Sequence, residues 1–404
     1  MFQPFRLERY FAKHEFSARH LLCTSDCESM TIDELIAIGD PTISLSGAAS
    51  ASLGSTWLGY TESRGAPALR AAIANLYQNL DMEDVLVHSG AEEAILNLFL
   101  AMVNKDDLVI VNTPCYQSLM EIPAGLGANV IPWQIRCEGE AWRLDTDALD
   151  ELLAAEQRRP DSSAPFVVLN MPHNPTGALI SAEELDHIIQ VCRRYGAILF
   201  MDEVYRLLEY DKNDRLPAVC EVYENGISLS VLSKAWGLAG LRIGWLATKR
   251  RDILEKVAAI KDYNSICASA PSEQLALLAV GHTETIVGRN RAICAENRAL
   301  FSQFFTAHEE LFSWIPPKAG SVAFPSLRPP PKQAWVPPNL SKALAKQDAD
   351  LFSQVLLDET GVLLLPGIHY AFDKAFFRIG LGRRSVPVSL SIFDAWLRGK
   401  GSRW

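Results

Sequence analysis

The feature that most constrains the fold is an alternation, from about residue 66 onward, of short apolar runs with amphipathic stretches. Apolar runs of this length are typical of strands that are buried on both faces of a parallel sheet. The runs are VLVH (85 to 88), LVIV (108 to 111), FVVLN (166 to 170), AILFM (197 to 201) and ISLSVL (227 to 232). Between them, segments such as APALRAAIANLYQNL (66 to 80) carry apolar residues at helical spacing. The pattern predicts an α/β fold with a mainly parallel sheet covered by helices on both faces.

The chain of 404 residues is long enough for a large domain and a smaller companion. We predict an N-terminal segment (1–45) that packs with the small domain, a large domain (46–282) and a small α+β domain (283–404). After residue 282 longer helical stretches begin, and a Pro-rich loop, SLRPPPKQAWVPPN (326 to 339), follows. We interpret this loop as a surface insertion rather than a polyproline segment that binds a partner.

Composition argues against several classes of protein. With 38 Lys plus Arg against 48 Asp plus Glu and no dense basic run, the chain is not expected to bind nucleic acid. The longest apolar runs are too short to span a bilayer and the first residues do not form an apolar signal segment, so we expect a cytoplasmic protein. The eight cysteines are too sparse for a disulfide framework. His20, Cys23 and Cys27 do not complete a four-ligand site, so no metal is expected.

A single lysine, Lys234, lies in the small and apolar stretch SLSVLSKAWGLAGLRIGW (228 to 245), and Arg242 follows it. Apolar surroundings lower the pKa of a lysine and favour the neutral amine that attacks a carbonyl. A lysine of this kind is suited to Schiff-base chemistry.

Polar side chains end the buried strands upstream of this lysine. Asn174 follows a strand in LNMPHNPTGALI (169 to 180), and Asp202 ends another strand, with Tyr205 shortly after it. The stretch VLVHSGAEEAILNLF (85 to 99) predicts a strand, a tight turn and a helix whose free N–H groups can hold a phosphate. The carboxyl edge of the sheet is therefore the predicted site.

In the order SGAEEA, PCY, HNPTG, DEVY, SKAWGLAGLR and FFRIG, these motifs resemble those of the class I aminotransferases among the fold type I pyridoxal-phosphate enzymes. The resemblance covers nearly the whole chain. It implies a seven-stranded, mainly parallel sheet in the large domain, pyridoxal 5′-phosphate as cofactor, amino acid and keto acid substrates, and a homodimer with shared active sites.

The resemblance also implies roles around the cofactor ring. Lys234 would form a Schiff base with the cofactor and move the α-proton of the substrate. Asp202 would pair with the pyridine nitrogen, Asn174 and Tyr205 would donate to the phenolic oxygen, and Tyr116 would stack on the ring.

Further roles concern the phosphate and the substrate. The residues implied at the phosphate are Gly90, Ala91, Glu92 and Arg242, with Tyr60 reaching the phosphate of the neighbouring subunit. Ser233, also expected to bind the cofactor, and Ser230 are the two candidates to replace the hydroxyl that is missing at residue 231. The backbone amides of Ala91 and Glu92 would contribute, with the Glu92 carboxylate turned away. Arg378 would bind the α-carboxylate of the substrate, which Asn174 and Ser25 would also contact. Val231 stands where many members carry a phosphate-binding Ser or Thr.

The segment HLLCTSDCESM (20 to 30) lacks the glycine that the family usually has near the substrate carboxylate. It resembles more the branch that contains capreomycidine synthase, which cyclises a hydroxylated arginine. An aminotransferase acting on an L-amino acid and a 2-oxo acid is therefore the leading hypothesis, and β-elimination or replacement followed by cyclisation is the alternative. A non-catalytic regulator would require a DNA-binding domain before residue 60, and AGLGANV lacks the third glycine of a nicotinamide-binding fold.

Overall fold

The structure is a computed structural model, and it describes residues 2–39, 56–155, 163–329 and 340–399. The predicted boundary between residues 45 and 46 and most of the Pro-rich loop (residues 330–339) lie outside the described residues. The division into an N-terminal segment, a large domain and a small domain stays a prediction.

The described residues form helices and strands that alternate along most of the chain. The helices are α1 (Arg6–His14), α2 (Ile32–Ile38), α3 (Pro67–Ala74), α4 (Ala91–Met102), α5 (Ser118–Leu126), α6 (Ala148–Ala155), α7 (Ala182–Tyr195), α8 (Val219–Val222), α9 (Arg251–Lys261), α10 (Ala270–Gly281), α11 (Thr283–Ala307), α12 (Ser341–Ala345), α13 (Ala349–Thr360) and α14 (Val386–Leu397). The strands are β1 (His20–Leu21), β2 (Val85–His88), β3 (Leu108–Thr113), β4 (Asn129–Glu138), β5 (Ala141–Leu144), β6 (Phe166–Asn170), β7 (Ile198–Asp202), β8 (Gly226–Val231), β9 (Gly244–Ala247), β10 (Phe312–Ser313), β11 (Val322–Ala323), β12 (Ser326–Leu327), β13 (Val362–Leu363), β14 (Leu365–Pro366) and β15 (Phe377–Gly380).

The central sheet confirms the predicted α/β class. Its described strands are ordered β2–β9–β8–β7–β6–β3–β4–β5, and the neighbours from β8 through β4 run parallel. Strand β9 is antiparallel to both β2 and β8. The described sheet has eight strands rather than the seven expected, because β5 folds back antiparallel on β4. Gly139, with φ of 61°, lies in the turn between them, and Trp142 and Leu144 on β5 are buried.

The predicted buried strands are confirmed at nearly the expected residues. Every residue of β2, β6, β7 and β8 is buried, as expected of strands covered by helices on both faces. The helix expected over 66–80 is shorter, because α3 ends at Ala74 and Asn79 takes a left-handed φ of 59°. Leu76 still packs against the core from the turn that follows α3.

A segment of the N-terminal region, residues 20–28, crosses from the small C-terminal sheets to the carboxyl edge of the central sheet, and we call it the strap. Its strand β1 pairs parallel with β13. Gly380 N–H donates to the Leu22 carbonyl at 2.7 Å, and Glu28 N–H donates to the Gly382 carbonyl at 2.8 Å. A Cβ at Gly380 or Gly382 would overlap the strap backbone at Thr24 or Asp26, so these glycines permit the close approach.

Candidate active site

A cavity of about 350 Å³ lies at the carboxyl edge of the central sheet, beneath the strap and α1. It brings together most of the predicted site residues. The predicted residues that line it are Ser25, Ala91, Glu92, Tyr116, Asn174, Asp202, Tyr205, Ser233, Lys234, Arg242 and Arg378. A larger cavity, of about 730 Å³, lies on the other side of Tyr370 and is lined by none of them.

Lys234 lies three residues after the end of β8 and lines the cavity. Its Nζ donates to Ser25 Oγ at 2.8 Å and lies 5.8 Å from the centroid of the Tyr205 ring. Burial lowers the pKa of Lys234, the nearby Asp26 carboxylate opposes this shift, and the Arg378 guanidinium adds to it. The environment therefore favours the neutral, nucleophilic amine more than water does.

Asp202, the last residue of β7, is a buried carboxyl group that is 5% exposed. One carboxylate oxygen accepts from the Val204 N–H at 3.2 Å, and no ion pair within the described ranges includes Asp202. Burial raises its pKa to about 7, while the Val204 N–H and the Lys234 charge act in the opposite direction. A buried carboxylate needs a cationic or donor partner, which the protonated pyridine nitrogen of pyridoxal phosphate would supply.

Asn174 and Tyr205 lie beside Asp202. The Asn170 amide, at the end of β6, donates to the Asp202 carbonyl at 2.9 Å and accepts from the Asn174 N–H at 2.7 Å. These bonds hold the HNPTG loop at the sheet edge. Asn174 Oδ1 accepts from the Tyr370 hydroxyl at 3.0 Å, which leaves its Nδ2 available as a donor to a ligand.

The Tyr205 hydroxyl is buried without a hydrogen-bond partner in the described part of the chain. Burial raises its pKa, while the Arg378 charge and the neighbouring Ser25 hydroxyl act in the opposite direction. A buried phenol normally has a partner, so an unpaired one in this cavity fits a ligand oxygen such as the phenolic oxygen of the cofactor.

The turn between β2 and α4 forms a small anion cradle. Gly90 has φ of 96°, and a Cβ there would lie 2.5 Å from Arg242 Nη2. Arg242 itself adopts a left-handed φ of 52°, which directs its guanidinium toward this turn. A Cβ at Gly244 would lie 2.8 Å from the Ala91 N–H nitrogen that begins α4. Free N–H groups, the helix dipole and a guanidinium fit the cofactor phosphate.

Three further residues lie near the cradle. Val231 is buried and offers no hydroxyl, while Ser233 is buried at the edge of the cavity. The Glu92 carboxylate accepts from the Ser118 hydroxyl of α5. Its second oxygen is buried without a partner, and burial raises its pKa.

Arg378, on β15, is fully buried and faces the cavity. Its Nε and Nη2 both donate to the Cys23 carbonyl of the strap, at 3.1 Å and 2.7 Å. Its Nη1 donates to the Tyr370 hydroxyl and, at 3.4 Å, to Asn174 Oδ1. One edge of the guanidinium is therefore occupied by backbone, and a substrate carboxylate would be met by the remaining N–H groups.

Of the two tyrosines predicted near the ring and the phosphate, Tyr116 lines the cavity and Tyr60 does not. Tyr116 lines the cavity, its ring centroid lies 5.2 Å from that of Phe5, and its hydroxyl donates to Glu8 at 3.2 Å. Tyr60 does not line the cavity and is 80% exposed. A contribution of Tyr60 to the site therefore requires a second subunit.

The sequence interpretation missed the acidic wall of the cavity. Glu8 and Glu15, from the N-terminal helix region, and Asp26, from the strap, all line it. Asp26 pairs with Arg383, whereas burial and the two other carboxylates raise the pKa of Glu15. Glu8 and Glu15 are seven residues apart, which places them on one face of a helix, and this spacing was the available signal.

The sequence matches the family model described as aminotransferase class I and II over residues 22–385. It is 28% identical over 366 residues to capreomycidine synthase from Streptomyces vinaceus, covering 89% of this chain and 85% of that protein. It is 27% identical over 362 residues to an aspartate aminotransferase from Musicola paradisiaca, covering 85% of this chain and 84% of that enzyme.

Solved structures of pyridoxal-phosphate-dependent enzymes are also similar to this chain. A pyridoxal-phosphate-dependent aminotransferase from Streptococcus suis superposes with a TM-score of 0.85 at 30% identity, covering 100% of this chain and 99% of that chain. The pyridoxal-phosphate-dependent cyclase OrfR superposes with a TM-score of 0.83 at 27% identity, covering 98% of each chain.

Across the described ranges, no helix is both long enough and apolar enough to cross a bilayer.

These similarities confirm the resemblance that the motifs indicated. The fold is that of the fold type I aminotransferases, and the cofactor is pyridoxal 5′-phosphate. From its family match and the arrangement of its cavity, the chain belongs to the aminotransferase class I and II family.

Proposed function

We propose that the protein is an aminotransferase that moves the amino group of an L-amino acid to a 2-oxo acid, with Lys234 as the residue that binds the cofactor and moves the proton. The observation that carries this proposal is the convergence of Lys234, Asp202 and Tyr205 on one cavity. A buried amine of lowered pKa, a buried carboxyl group that forms no ion pair within the described ranges and a phenol without a hydrogen-bond partner there are the groups this chemistry requires.

Pyridoxal phosphate, when bound, supplies a ring that accepts the electrons released at the substrate α-carbon. In our proposal Asp202 holds the proton of the ring nitrogen, which keeps that ring electron-withdrawing. Asn174 Nδ2 and the Tyr205 hydroxyl donate to its phenolic oxygen, and the Gly90 turn together with Arg242 binds its phosphate.

The proposed substrate steps use Lys234 and Arg378. Arg378 binds the α-carboxylate through the N–H groups that do not contact Cys23, which orients the α C–H bond. The Lys234 amine then takes the α-proton and returns it one position away, as a general base and acid. The strap and α1 cover the cavity and limit the access of water.

A second candidate function is elimination or replacement at the β-carbon followed by cyclisation, with the same cofactor and lysine. It is supported by the strap, which carries no glycine near the carboxylate site, and by the carboxylates of Glu8, Glu15 and Asp26 in the cavity wall. Acidic residues at this position favour a donor with a basic side chain. Capreomycidine synthase and the cyclase OrfR are among the similar proteins.

The first experiment mixes the full chain, loaded with pyridoxal phosphate, with a panel of L-amino acids that includes arginine derivatives. The visible spectrum and the mass of the products are recorded. An aminotransferase converts the cofactor to its amine form and yields a matching keto acid. A dehydrated or cyclised product that keeps its α-nitrogen, with the cofactor returned unchanged, favours the second candidate. Absence of any keto acid from every donor contradicts the leading proposal.

Lys234→Ala tests the assignment of the lysine. We expect the visible band of the bound cofactor to disappear and turnover to fall by roughly a thousandfold or more, because both covalent attachment and proton transfer are lost. Lys256→Ala, on the exposed face of α9, is the matched control and should leave both unchanged. An unchanged spectrum in Lys234→Ala would move the attachment to another amine.

We also propose a cytoplasmic homodimer that serves amino acid biosynthesis. The exposed Tyr60 supports the dimer, because a tyrosine of this motif would contact the cofactor phosphate of the neighbouring subunit.

A further inference from the structure

The amine of Lys234 has one hydrogen-bond partner within the described ranges, and that partner comes from the strap. Nζ donates to Ser25 Oγ at 2.8 Å. The face of the Tyr205 ring lies 5.8 Å away, and the Asp26 carboxylate next to Ser25 pairs with Arg383. The orientation of the lysine side chain is therefore set by a neutral hydroxyl rather than by a carboxylate.

A serine hydroxyl suits a lysine whose protonation state changes during turnover. The hydroxyl has one donor and two acceptor lone pairs, and its hydrogen rotates to match its partner. It accepts from the ammonium form of Lys234 and donates to the neutral amine. A carboxylate only accepts, so it would favour the ammonium form and weaken the base.

The strap fixes the position of Ser25 through its backbone. The Ser25 carbonyl accepts from the Ser321 hydroxyl at 2.6 Å. Two residues earlier, the Cys23 carbonyl accepts from the Arg378 guanidinium at 2.7 Å. Both donors belong to the C-terminal half of the chain, and together they hold the Ser25 hydroxyl at the lysine.

We infer that Ser25 is a positioning residue for Lys234, whose hydroxyl orients the lysine nitrogen in both protonation states for capture of the cofactor and for the later proton transfer. The inference rests on the proposed function of Lys234. In the capture step the lysine nitrogen adds to the aldehyde carbon of pyridoxal phosphate, and the aldehyde oxygen leaves as one water molecule.

The test measures capture of pyridoxal phosphate by the full chain stripped of cofactor. Stopped-flow absorbance gives the rate at which the visible band appears, across the neutral and alkaline pH range. In Ser25→Ala we expect capture to slow by about tenfold, because the amine is no longer oriented. The inflection of the rate with pH should move to lower pH, because the ammonium form loses its acceptor. Ser25→Thr keeps the hydroxyl and should remain within about twofold of the unaltered chain.

Pyridoxamine 5′-phosphate, which has no aldehyde, separates positioning from folding. Its affinity should be the same in the unaltered chain and in Ser25→Ala, because the phosphate cradle and Asp202 are intact. Capture at an unaltered rate in Ser25→Ala overturns the inference. So does Ser25→Thr being as slow as Ser25→Ala, or a parallel loss of pyridoxamine phosphate affinity. A chain that converts no amino donor would still capture pyridoxal phosphate, so failure of the proposed function gives a different result.

Discussion

At the scale of single residues, two adjacent buried carboxyl groups at the end of β7 differ in whether they line the cavity. Glu203 accepts from the Val219 N–H at 2.9 Å and from the Ser228 hydroxyl at 2.7 Å. Among the described residues, Asp202 accepts from the Val204 N–H. Burial raises the pKa of each to about 7. Asp202 lines the cavity and can bind a ligand cation there, whereas Glu203 does not line it.

Asp202→Asn should change how the stability of the cofactor-free chain depends on pH. Because the pKa of Asp202 is raised to about 7 by folding, the folded state binds more protons than the unfolded state between about pH 4 and pH 7. Stability therefore falls as pH rises through this window, by about 1.4 kcal/mol for each unit of pKa shift. In Asp202→Asn the free energy of unfolding, from urea titrations at about pH 5 and about pH 8, should fall less between the two.

Glu203→Gln is the companion variant for this measurement. It should flatten the same pH dependence, because the pKa of Glu203 is raised in the same direction. The two variants should differ in cofactor binding, since only Asp202→Asn removes the carboxylate that we propose as the partner of the pyridine nitrogen. An Asp202→Asn variant with the unaltered pH dependence would show that this carboxyl group is ionised in the folded chain.

At the scale of elements, the strands of the central sheet can be predicted from the sequence, whereas the path of the strap cannot. Strands such as β6 and β7 are buried on both faces, so each reads as one apolar run. The strap backbone packs closely against Gly380 and Gly382, which are far from it in sequence. A local sequence pattern does not predict a contact of this kind. The extra strand β5 was not predicted for a similar reason, because it joins the sheet through its pairing with β4 rather than through an apolar run of its own.

The candidate site likewise contains residues that the sequence predicts and residues that it does not. Lys234 and Asp202 were predictable because each is an ionisable residue at or just after the end of an apolar strand. A charge buried there is costly unless it is paired or has a function. The acidic residue Glu15 was missed, because its approach to the cavity depends on how the N-terminal region folds over the sheet. The hydrogen bond between Ser25 and Lys234 joins residues 209 positions apart, a distance that sequence periodicity does not bridge.

Gly380→Ala should displace the strap without unfolding the chain. A Cβ at this position would overlap the Thr24 carbonyl, so the strap must move away from β15. We expect turnover to fall by roughly 10- to 100-fold through loss of the Ser25 position. Amide hydrogen exchange should rise in residues 20–28, while the central sheet stays protected. Gly288→Ala, where an added Cβ meets no atom within 4 Å, is the control and should change neither.

At the scale of the whole molecule, one surface carries several exposed large apolar side chains. Trp57, Leu58 and Tyr60 lie on a loop that contacts the loop after α9, where Tyr263 is 92% exposed. The two loops are joined by the Thr61 hydroxyl, which donates to the Ala268 carbonyl at 3.2 Å. Exposed large apolar side chains on two adjoining loops favour an interface, which supports the homodimer that we propose.

Leu58→Asp should weaken that dimer. A charge in an apolar interface is costly to bury, so we expect the dissociation constant to rise by about 100-fold, measured by sedimentation velocity. Val388→Asp alters an exposed apolar residue on α14 and should leave the dimer intact. If the chain sediments as a monomer before any substitution, Tyr60 does not contribute to a shared site.

The crossing of the strap sets an order of assembly during synthesis. The residues of the sheet edge, from Gly90 to Arg242, emerge from the ribosome well before β13 and β15, against which the strap is held. Ser25 is made earlier than all of them, yet its carbonyl is fixed only when Ser321 has been made. The nascent chain therefore carries Lys234, the lysine that we propose to be reactive, before it carries the contacts that orient it, and cofactor capture during translation would precede closure of the site.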